Sequence, residues 1–280
     1  MDSNWVFASA KLAHPCLPAA LEGAKQAGAL LRAKFKTGLE IHSKGVSNFV
    51  TEVDLAAEAA IQQVLQQAHP AHSMLGEESQ RIDVAQDEHL WVVDPLDGTS
   101  NFLHGIPQVA VSIAYCHKGV AEVGVVYNPI REDLYVAVDG QGAWHNGARQ
   151  QVDQAKALSD VIVACGFYYD RGAMMRATLD TIASFFENQI HGVRRFGAAA
   201  LDLCSVGCGQ FGLFFEYRLH PWDYAAGQLF VKEAGGVTTD CNGKSLPLEG
   251  PSSICSANQA LHPMALRVIE PHFAKLQRAT

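Results

Sequence analysis

Two carboxylates follow a short apolar run near the middle of the chain. Residues 90–93 have the composition of a buried strand, and they are followed by Asp94 and, three residues later, by Asp97. We expect the strand to end at Asp94, because a dry strand does not tolerate an unpaired charge and Pro95 cannot donate to a ladder. A tight turn between the two acids would then direct both carboxylates to one point.

The residues after this turn add donors for an anion. Gly98 and Thr99 open a predicted helix, whose first amide N–H groups have no partner within the helix. Carboxylate oxygens and free N–H donors in one short peptide suit a divalent cation and a phosphate group side by side. A simpler alternative is a strand and a turn in which the carboxylates only cap backbone amides.

Acids also follow two other apolar runs. Glu77 and Glu78 come after the short predicted strand at residues 72–75, and Glu216 comes after the apolar residues 211–215. Several strands that end in acids predict one shared region of negative charge. Such a region repels itself unless a cation fills it.

Two further acids lie at predicted helix starts. Asp54 has the spacing of a capping box with Thr51, and Asp223 falls in the first turn of a helix that begins near Trp222. Either acid could serve only as a helix cap. Lys44, in a Gly- and Ser-containing turn or mobile loop, would by itself be an ordinary surface lysine.

Composition limits the classes of function. The 280 residues are 48% hydrophobic and 18% charged, with a formal net charge of −8, which argues against a general nucleic-acid or anionic-membrane binder. No stretch approaches the roughly 20 apolar residues of a membrane span. Seven irregularly spaced cysteines without a secretory signal predict free thiols in a cytoplasmic protein. The twelve histidines show no cluster, so none is assigned to a metal.

The order of predicted elements changes near residue 155. Residues 40–150 have the pattern of an antiparallel sheet with helices on one side, whereas strands and helices alternate afterwards, which indicates a mixed sheet. We therefore expect an N-terminal α+β region at residues 1–150 and a C-terminal α/β region at residues 151–280. The first 14 residues show no clear pattern.

Three motifs in order carry a resemblance to a known family. They are Gly-Glu-Glu-Ser at residues 76–79, Trp-Val-Val-Asp-Pro-Leu-Asp-Gly-Thr-Ser-Asn-Phe at 91–102 and Trp-Asp-Tyr-Ala-Ala-Gly at 222–227. Together they resemble the inositol monophosphatase family of magnesium-dependent, lithium-sensitive phosphatases. The resemblance implies a layered α/β fold, an α-β-α-β-α sandwich of the sugar phosphatase type, and a homodimer.

The resemblance also implies roles for individual residues. Two to three Mg²⁺ ions would bind to Glu77, Asp94, the carbonyl of Leu96, Asp97 and Asp223. Glu77 and Thr99 would position the attacking water, and the Thr99 hydroxyl would pair with Asp54. Lys44 would lie on the mobile loop that helps to form the third metal site. The residues implied to contact the substrate are Leu96, Asp97, Gly98, Thr99, Gly197, Ala198, Ala199, Glu216 and Asp223.

The predicted activity is hydrolysis of inositol monophosphate by direct attack of a metal-activated water. The same chemistry could act on histidinol phosphate, fructose bisphosphate, a nucleotide 3′-phosphate or NADP, since Ala198, Tyr168 and Tyr169 depart from the animal members beside the substrate. A regulatory binding protein of the same fold is the other alternative, because some bacterial relatives are linked to RNA-polymerase and ribosomal-RNA processes. We expect a small phosphate substrate, no membrane contact and no nucleic-acid partner.

Overall fold

The computed structural model describes residues 2–37, 41–45, 48–79 and 87–279. The helices in these residues are α1 (Asp2–Lys11), α2 (Leu17–Lys34), α3 (Glu52–Ala68), α4 (Thr99–Leu103), α5 (Ala173–Glu187), α6 (Ala199–Gly207), α7 (Pro221–Glu233) and α8 (His262–Ala279). The strands are β1 (Ile41–Gly45), β2 (Asn48–Thr51), β3 (Ser73–Gly76), β4 (His89–Asp97), β5 (Ala110–His117), β6 (Val120–Asn128), β7 (Asp133–Val138), β8 (Gly142–His145), β9 (Ala148–Gln150), β10 (Ile162–Cys165), β11 (Gly192–Arg194), β12 (Leu213–Leu219), β13 (Gly236–Thr239) and β14 (Ser252–Asn258).

The first large sheet has the strand order β3-β4-β5-β6-β7-β8-β9. Its neighbours pair antiparallel from β4 onward, as predicted, whereas β3 pairs parallel to β4. Because β3 and β4 run in the same direction, the residues that follow β3 lie beside the carboxyl end of β4, at the same end of the strands. Glu77 and Asp97 therefore belong to the same end of the molecule.

Helices cover both faces of this sheet. The one-sided pattern predicted for residues 40–150 describes α3, and the helices of the other face, α6 and α7, come from beyond residue 150. Helices α2 and α3 contact one face, and α6 and α7 contact the other. The reason lies in β5, where Val111 and Ile113 join the core beneath α2 and α3, while Ala110 and Ala114 join the core beneath α6 and α7. The small residues between the large ones form a second buried face, which allows a helix to approach closely.

The second large sheet completes a five-layer arrangement. Its strand order is β11-β10-β12-β14-β13, with β11, β10 and β12 parallel and β14 antiparallel to both of its neighbours. Helices α5 and α8 pack on its outer face, and α6 and α7 lie between the two sheets. This order of layers is the predicted α-β-α-β-α sandwich.

Two predicted strand ends are wrong. Strand β4 continues through Asp94 to Asp97, because the pairing shifts from Asp94 opposite Ser112 to Asp97 opposite Ala110 and leaves one extra residue in a bulge. Pro95 lies inside this bulge, so its missing N–H removes no ladder bond. Strand β12 likewise continues past Glu216 to Leu219.

The N-terminal residues form a packed helix, although their sequence shows no clear pattern. Trp5 of α1 is buried and lies edge-on to Tyr127, with the ring centroids 4.9 Å apart. Tertiary packing of this one large side chain thus orders a segment with weak periodicity.

The halves on either side of residue 150 share a core. The first sheet ends at β9 and the second begins at β10, but α6 and α7 of the second half bury the inner face of the first sheet. Whether residues 1–150 and 151–280 form separate domains stays a prediction. All seven cysteines are free thiols, as predicted. Within the described residues, no helix is long and apolar enough to cross a bilayer.

Candidate active site

One cleft collects nearly all of the predicted site residues. It opens where the carboxyl ends of β3 and β4 meet β12 and the N-terminal turns of α4, α6 and α7. The predicted residues that line it are Glu77, Asp94, Leu96, Asp97, Gly98, Thr99, Gly197, Ala198, Ala199, Glu216 and Asp223. The cleft thus brings together the predicted metal ligands and the predicted substrate side.

The β4 bulge orients the central acids. The backbone N–H of Leu96 donates to Asp94 Oδ1 over 2.9 Å, which fixes that carboxylate. The Glu77 N–H donates to the carbonyl of Val93 over 3.1 Å, so the segment after β3 stays attached to β4. These two backbone contacts bring the side chains of Glu77 and Asp94 to the same wall of the cleft.

Gly98 joins the bulge to α4 in a conformation that favours glycine. Its φ is +91°, and a Cβ here would lie 2.9 Å from the carbonyl oxygen of Gln108. The chain can therefore turn sharply into α4, whose first amide groups have no partner within the helix. Asn101 of α4 donates to the carbonyl of Phe196 over 2.7 Å and so holds the start of the Gly197–Ala199 segment against α4.

Thr99 connects the cleft to α3. Its hydroxyl lies 3.3 Å from Asp54 Oδ1 and 3.2 Å from the carbonyl oxygen of Leu96, and it can donate to either. Asp54 is buried on α3 and does not line the cleft itself, so it acts on the site through Thr99. The side chain of Lys44 on β1 lies outside the described residues.

Asp97 and Asp223 each accept a backbone hydrogen bond through one of their two carboxylate oxygens. The N–H of Ala200 on α6 donates to Asp97 Oδ2 over 2.8 Å. The N–H of His220 donates to Asp223 Oδ2 over 2.6 Å, which closes the capping box at the start of α7. The cap predicted for Asp223 therefore exists, but it occupies one oxygen and does not exclude a second role for the other.

Burial and mutual repulsion raise the pKa of the clustered acids. The pKa of Asp94 lies well above its usual range because of burial first, and then because of the charges of Glu77, Asp97 and Asp223. Burial also raises the pKa of Asp97 to about 6, against the lowering effect of the amides of Ala200 and Ala199. The pKa of Asp223 is raised by burial and by Asp97 and Glu77.

This donor set fits a divalent cation. Four acidic side chains repel one another in a partly buried cleft, and a bound cation would remove the repulsion that raises their pKa values. Their oxygens, together with the Leu96 carbonyl, are the hard ligands that Mg²⁺ prefers. The residues that could hold it are Glu77, Asp94, Leu96, Asp97 and Asp223.

Glu216 faces the acids from β12 in the other half of the chain. Burial raises the pKa of its carboxyl to about 8, Arg195 lowers it and Asp97 raises it further. A Cβ on Gly166 would overlap the Glu216 carboxylate, so the side chain lies directly against the β10 end of the cleft. Glu216 is therefore close to neutral at pH 7 and can both donate and accept a hydrogen bond.

Sequence reasoning missed two buried acids beside the site. Glu58 Oε2 accepts the N–H of Glu78 over 2.9 Å and so supports the segment that carries Glu77. It lies one helical turn after Asp54, on the same face of α3, and that spacing was a usable signal. Asp202 of α6 lines the cleft, and its pKa is raised by burial and by Asp97. Its neighbours in sequence are apolar, so no local pattern marks it.

The chain is similar to known proteins over most of its length. A model of the inositol monophosphatase family matches residues 13–273. The Nus factor SuhB of Escherichia coli strain K12 is 42% identical over 232 residues, which are 82% of this chain and 86% of that protein. The structure of the extragenic suppressor protein suhB from Bartonella henselae has a TM-score of 0.85 at 36% identity, covering 91% of this chain and 98% of that one.

A third similar protein has a ligand in its structure. Inositol monophosphate-bound SaIMPase-II, a staphylococcal protein, has a TM-score of 0.79 at 29% identity, covering 94% of this chain and 96% of that one. These matches confirm the resemblance carried by the three sequence motifs.

Proposed function

The chain belongs to the inositol monophosphatase family, and from this premise we propose that it is a Mg²⁺-dependent phosphomonoesterase that hydrolyses inositol monophosphate. The family is one of phosphatases whose members use Mg²⁺. The observation that carries the proposal is the convergence of Glu77, Asp94, Asp97 and Asp223 on one cleft. The inositol monophosphate bound to SaIMPase-II supports the choice of substrate class.

The carboxylates of the cleft would hold two to three Mg²⁺ ions. Glu77, Asp94, Asp97, Asp223 and the Leu96 carbonyl are the proposed ligands, with Asp94 shared between ions. When bound, such ions lower the pKa of a water molecule and neutralise the leaving oxygen during in-line displacement. The burial of Asp94 and its neighbours supports this role, because the protein gains from any cation that offsets their repulsion.

Thr99 and Glu77 would position the attacking water. When the Thr99 hydroxyl donates its hydrogen to Asp54 or to the Leu96 carbonyl, its lone pairs are left to accept a hydrogen bond from water. Glu77 would accept the other hydrogen. Both residues are thus positioning groups for direct attack, and the proposal needs no nucleophilic side chain.

Other residues of the cleft would bind the phosphate and the alcohol. The amides of Gly98 and Thr99 at the start of α4 are suited to phosphate oxygens. Gly197, Ala198, Ala199 and Glu216 would contact the hydroxyl groups of the substrate, and a neutral Glu216 suits a polyol because it can donate as well as accept. Tyr168 and Tyr169 line the cleft as well, and they would decide between inositol monophosphate and the other small phosphates.

Phosphate release from a panel of small phosphomonoesters tests the proposal. We expect turnover of inositol 1-phosphate in Mg²⁺, loss of turnover with chelator, and loss of turnover in Asp94→Asn. Asp160→Asn is the matched control, because Asp160 is exposed and remote from the cleft. A different substrate would be indicated by faster turnover of histidinol phosphate, fructose bisphosphate, a nucleotide 3′-phosphate or NADP. The proposed reaction, hydrolysis of a phosphomonoester, would then be unchanged. No release from any ester would contradict the proposal.

A regulatory role is the second candidate. The observation that favours it is the 42% identity to a protein named a Nus factor. We propose that such a role would use a macromolecular partner and leave the cleft intact. A pull-down with the full chain, followed by analysis of protein and nucleic acid, tests it. Failure to recover a stoichiometric partner would contradict the regulatory role. Recovery of nucleic acid would contradict the prediction that the chain has no nucleic-acid partner.

The expected assembly and location are proposals as well. We propose a homodimer in the cytoplasm, in keeping with the family resemblance. Sedimentation of the purified chain at several concentrations would measure its mass, and a monomer at all concentrations would exclude the dimer.

A further inference from the structure

Histidines that are separated in sequence meet at one end of the first sheet. The rings of His69, His72, His89 and His117 stack in series, with successive centroids 4.7, 4.6 and 5.1 Å apart. The prediction that the histidines form no cluster is therefore wrong. The cluster depends on strand register, since β4 and β5 pair with His89 opposite His117, and no local sequence pattern reveals this.

A buried thiol lies beside this stack. Cys16 precedes α2 and is only 3% exposed. One possible ligand atom from each of Cys16, His69 and His72 lies within 4.8 Å of the other two. His72 Nδ1 is buried, and among the described residues it has no hydrogen-bond partner. A buried ring nitrogen without a partner is costly unless something binds it.

The neighbouring group of Glu88, His89 and His117 is less suited to a ligand. His89 Nδ1 lies 2.7 Å from the Tyr115 hydroxyl, and His117 Nδ1 lies 3.3 Å from Glu122. Glu88 pairs with Lys118 over 3.1 Å. A metal ion would have to displace these contacts, whereas at the group of Cys16, His69 and His72 it would displace the hydrogen bond between the Cys16 thiol and Tyr115.

We propose that Cys16, His69 and His72 form a binding site for Zn²⁺. Thiolate sulfur and imidazole nitrogen are the ligands that zinc prefers, with bonds of about 2.3 and 2.0 Å. Ligand atoms on one tetrahedral ion are roughly 3.5 Å apart, so the group needs to contract by only about 1 Å. Three protein ligands leave the fourth position to water.

Zinc binding at this site depends on pH because the cysteine loses its proton when the metal binds. Burial raises the pKa of the Cys16 thiol to about 11, so the thiol is protonated when the site is empty. Binding forms the sulfur–zinc bond, breaks the S–H bond and releases one proton to solvent. Burial first, and then the neighbouring His69 and His89, lower the pKa of His72, which favours the neutral imidazole that a metal ion binds.

The site is separate from the cleft. His72 precedes β3 and Glu77 follows it, so a strand rise of about 3.3 Å per residue puts them about 16 Å apart. Mg²⁺ binds poorly to thiolate and imidazole, whereas zinc binds them well. The zinc site can thus be tested in excess Mg²⁺, and its existence does not depend on the proposed phosphatase activity.

Cobalt substitution gives a direct test of the thiol ligand. We expect Co²⁺, added to the full chain in excess Mg²⁺, to produce a thiolate-to-cobalt charge-transfer band in the near ultraviolet. Cys16→Ser should remove the band, whereas Cys208→Ser, at the half-buried cysteine outside the cluster, should retain it. Absence of the band in the wild type, or its persistence in Cys16→Ser, would overturn the proposal.

A second measurement guards against misfolding of the Cys16 variant. Zinc affinity is measured by competition with a chelating dye for the wild type and His72→Gln. We expect the variant to lose more than about 100-fold in affinity, since even an indirect supporting partner can contribute that much. His191→Gln, at an exposed histidine away from the stack, is the control. Equal zinc affinity in the wild type and His72→Gln would refute the site.

Discussion

The hydroxyl of Thr99 lies 3.3 Å from Asp54 Oδ1, although the two residues belong to different helices. Helix α3 packs against β4, and α4 begins where β4 ends, so the contact joins the start of one helix to the start of the other. Together with the Leu96 carbonyl, Asp54 offers the Thr99 hydroxyl an acceptor on the side of α3 and β4, which leaves the oxygen lone pairs for water in the cleft.

Thr99→Val should lower kcat by about 100-fold or more, because a positioned group that accepts a proton or a hydrogen bond from the attacking water contributes at least that factor. Thr99→Ser keeps the hydroxyl and should stay within about tenfold of the wild type. Steady-state kinetics on inositol 1-phosphate measure both. A valine variant with the kcat of the wild type would remove Thr99 from the mechanism.

Asp94→Asn should stabilise the metal-free protein while it abolishes activity. The pKa of Asp94 is raised, so its contribution to stability is complete below its unfolded pKa and is lost as the pH rises through the folded value. At pH 8 in chelator, we expect a higher free energy of unfolding for the variant than for the wild type, because its amide carries no charge beside Glu77, Asp97 and Asp223.

Magnesium should reverse this order. A saturating ligand at about 100 times its Kd adds about 2.7 kcal/mol to the wild type, and the variant should gain less. Urea unfolding with Mg²⁺ and with chelator gives both values, and Asp160→Asn should follow the wild type. Equal gains in Mg²⁺ for the wild type and Asp94→Asn would show that Asp94 holds no metal.

Glu216→Gln should change how stability depends on pH. Burial raises the pKa of Glu216 from 4.5 to about 8, so its contribution to stability is complete below pH 4.5 and is lost as the pH rises towards 8. Between pH 6 and pH 8, the titration of Glu216 should lower the free energy of unfolding of the wild type by about 2 kcal/mol. The glutamine variant should not show this decrease. Urea unfolding with chelator at both pH values measures it. Parallel pH profiles would contradict a raised pKa, and Glu249→Gln serves as the exposed control.

Gly166→Ala should disturb the substrate wall more than a typical glycine substitution. An added Cβ would overlap the Glu216 carboxylate, and overpacking of this kind costs about 1–3 kcal/mol. We expect a raised KM as well, because Glu216 has to move. Gly23→Ala in α2 meets side chains at ordinary contact distances of 3.4–3.5 Å and should be neutral or stabilising. Similar effects of the two substitutions in thermal unfolding and kinetics would argue against the tight contact.

Most acids of the cleft could be predicted because they depend on a local pattern. A strand followed by an acid is visible at Glu77 and Asp94, and the first turn of α7 is visible at Asp223. The β4 bulge was not predicted, since a bulge is defined by pairing with β5 and not by the residues of β4 alone. Asp202 was missed for a related reason, because only the folded chain brings it near Asp97 and Glu216.

The layer between the sheets also depends on tertiary contacts. Val111 and Ile113 of β5 belong to one buried face, while Ala110 and Ala114 form a second buried face, which small side chains do not reveal in the sequence. Gly124 on β6 also allows α7 to approach the sheet, since a Cβ there would lie 2.8 Å from the carbonyl oxygen of Ala226 in α7. Packing between remote segments, rather than propensity, decides where α7 lies.

The position of α7 has a consequence for synthesis of the chain. Asp223 completes the ring of acids, yet it is translated long after β3, β4 and the rest of the first sheet. A nascent chain whose exit from the ribosome stops before Pro221 would therefore expose the part of the small-residue face that α7 covers, and it would lack the last carboxylate. We expect magnesium-dependent protection from protease to appear only in chains released past this helix, so that the cleft forms as a late event in translation.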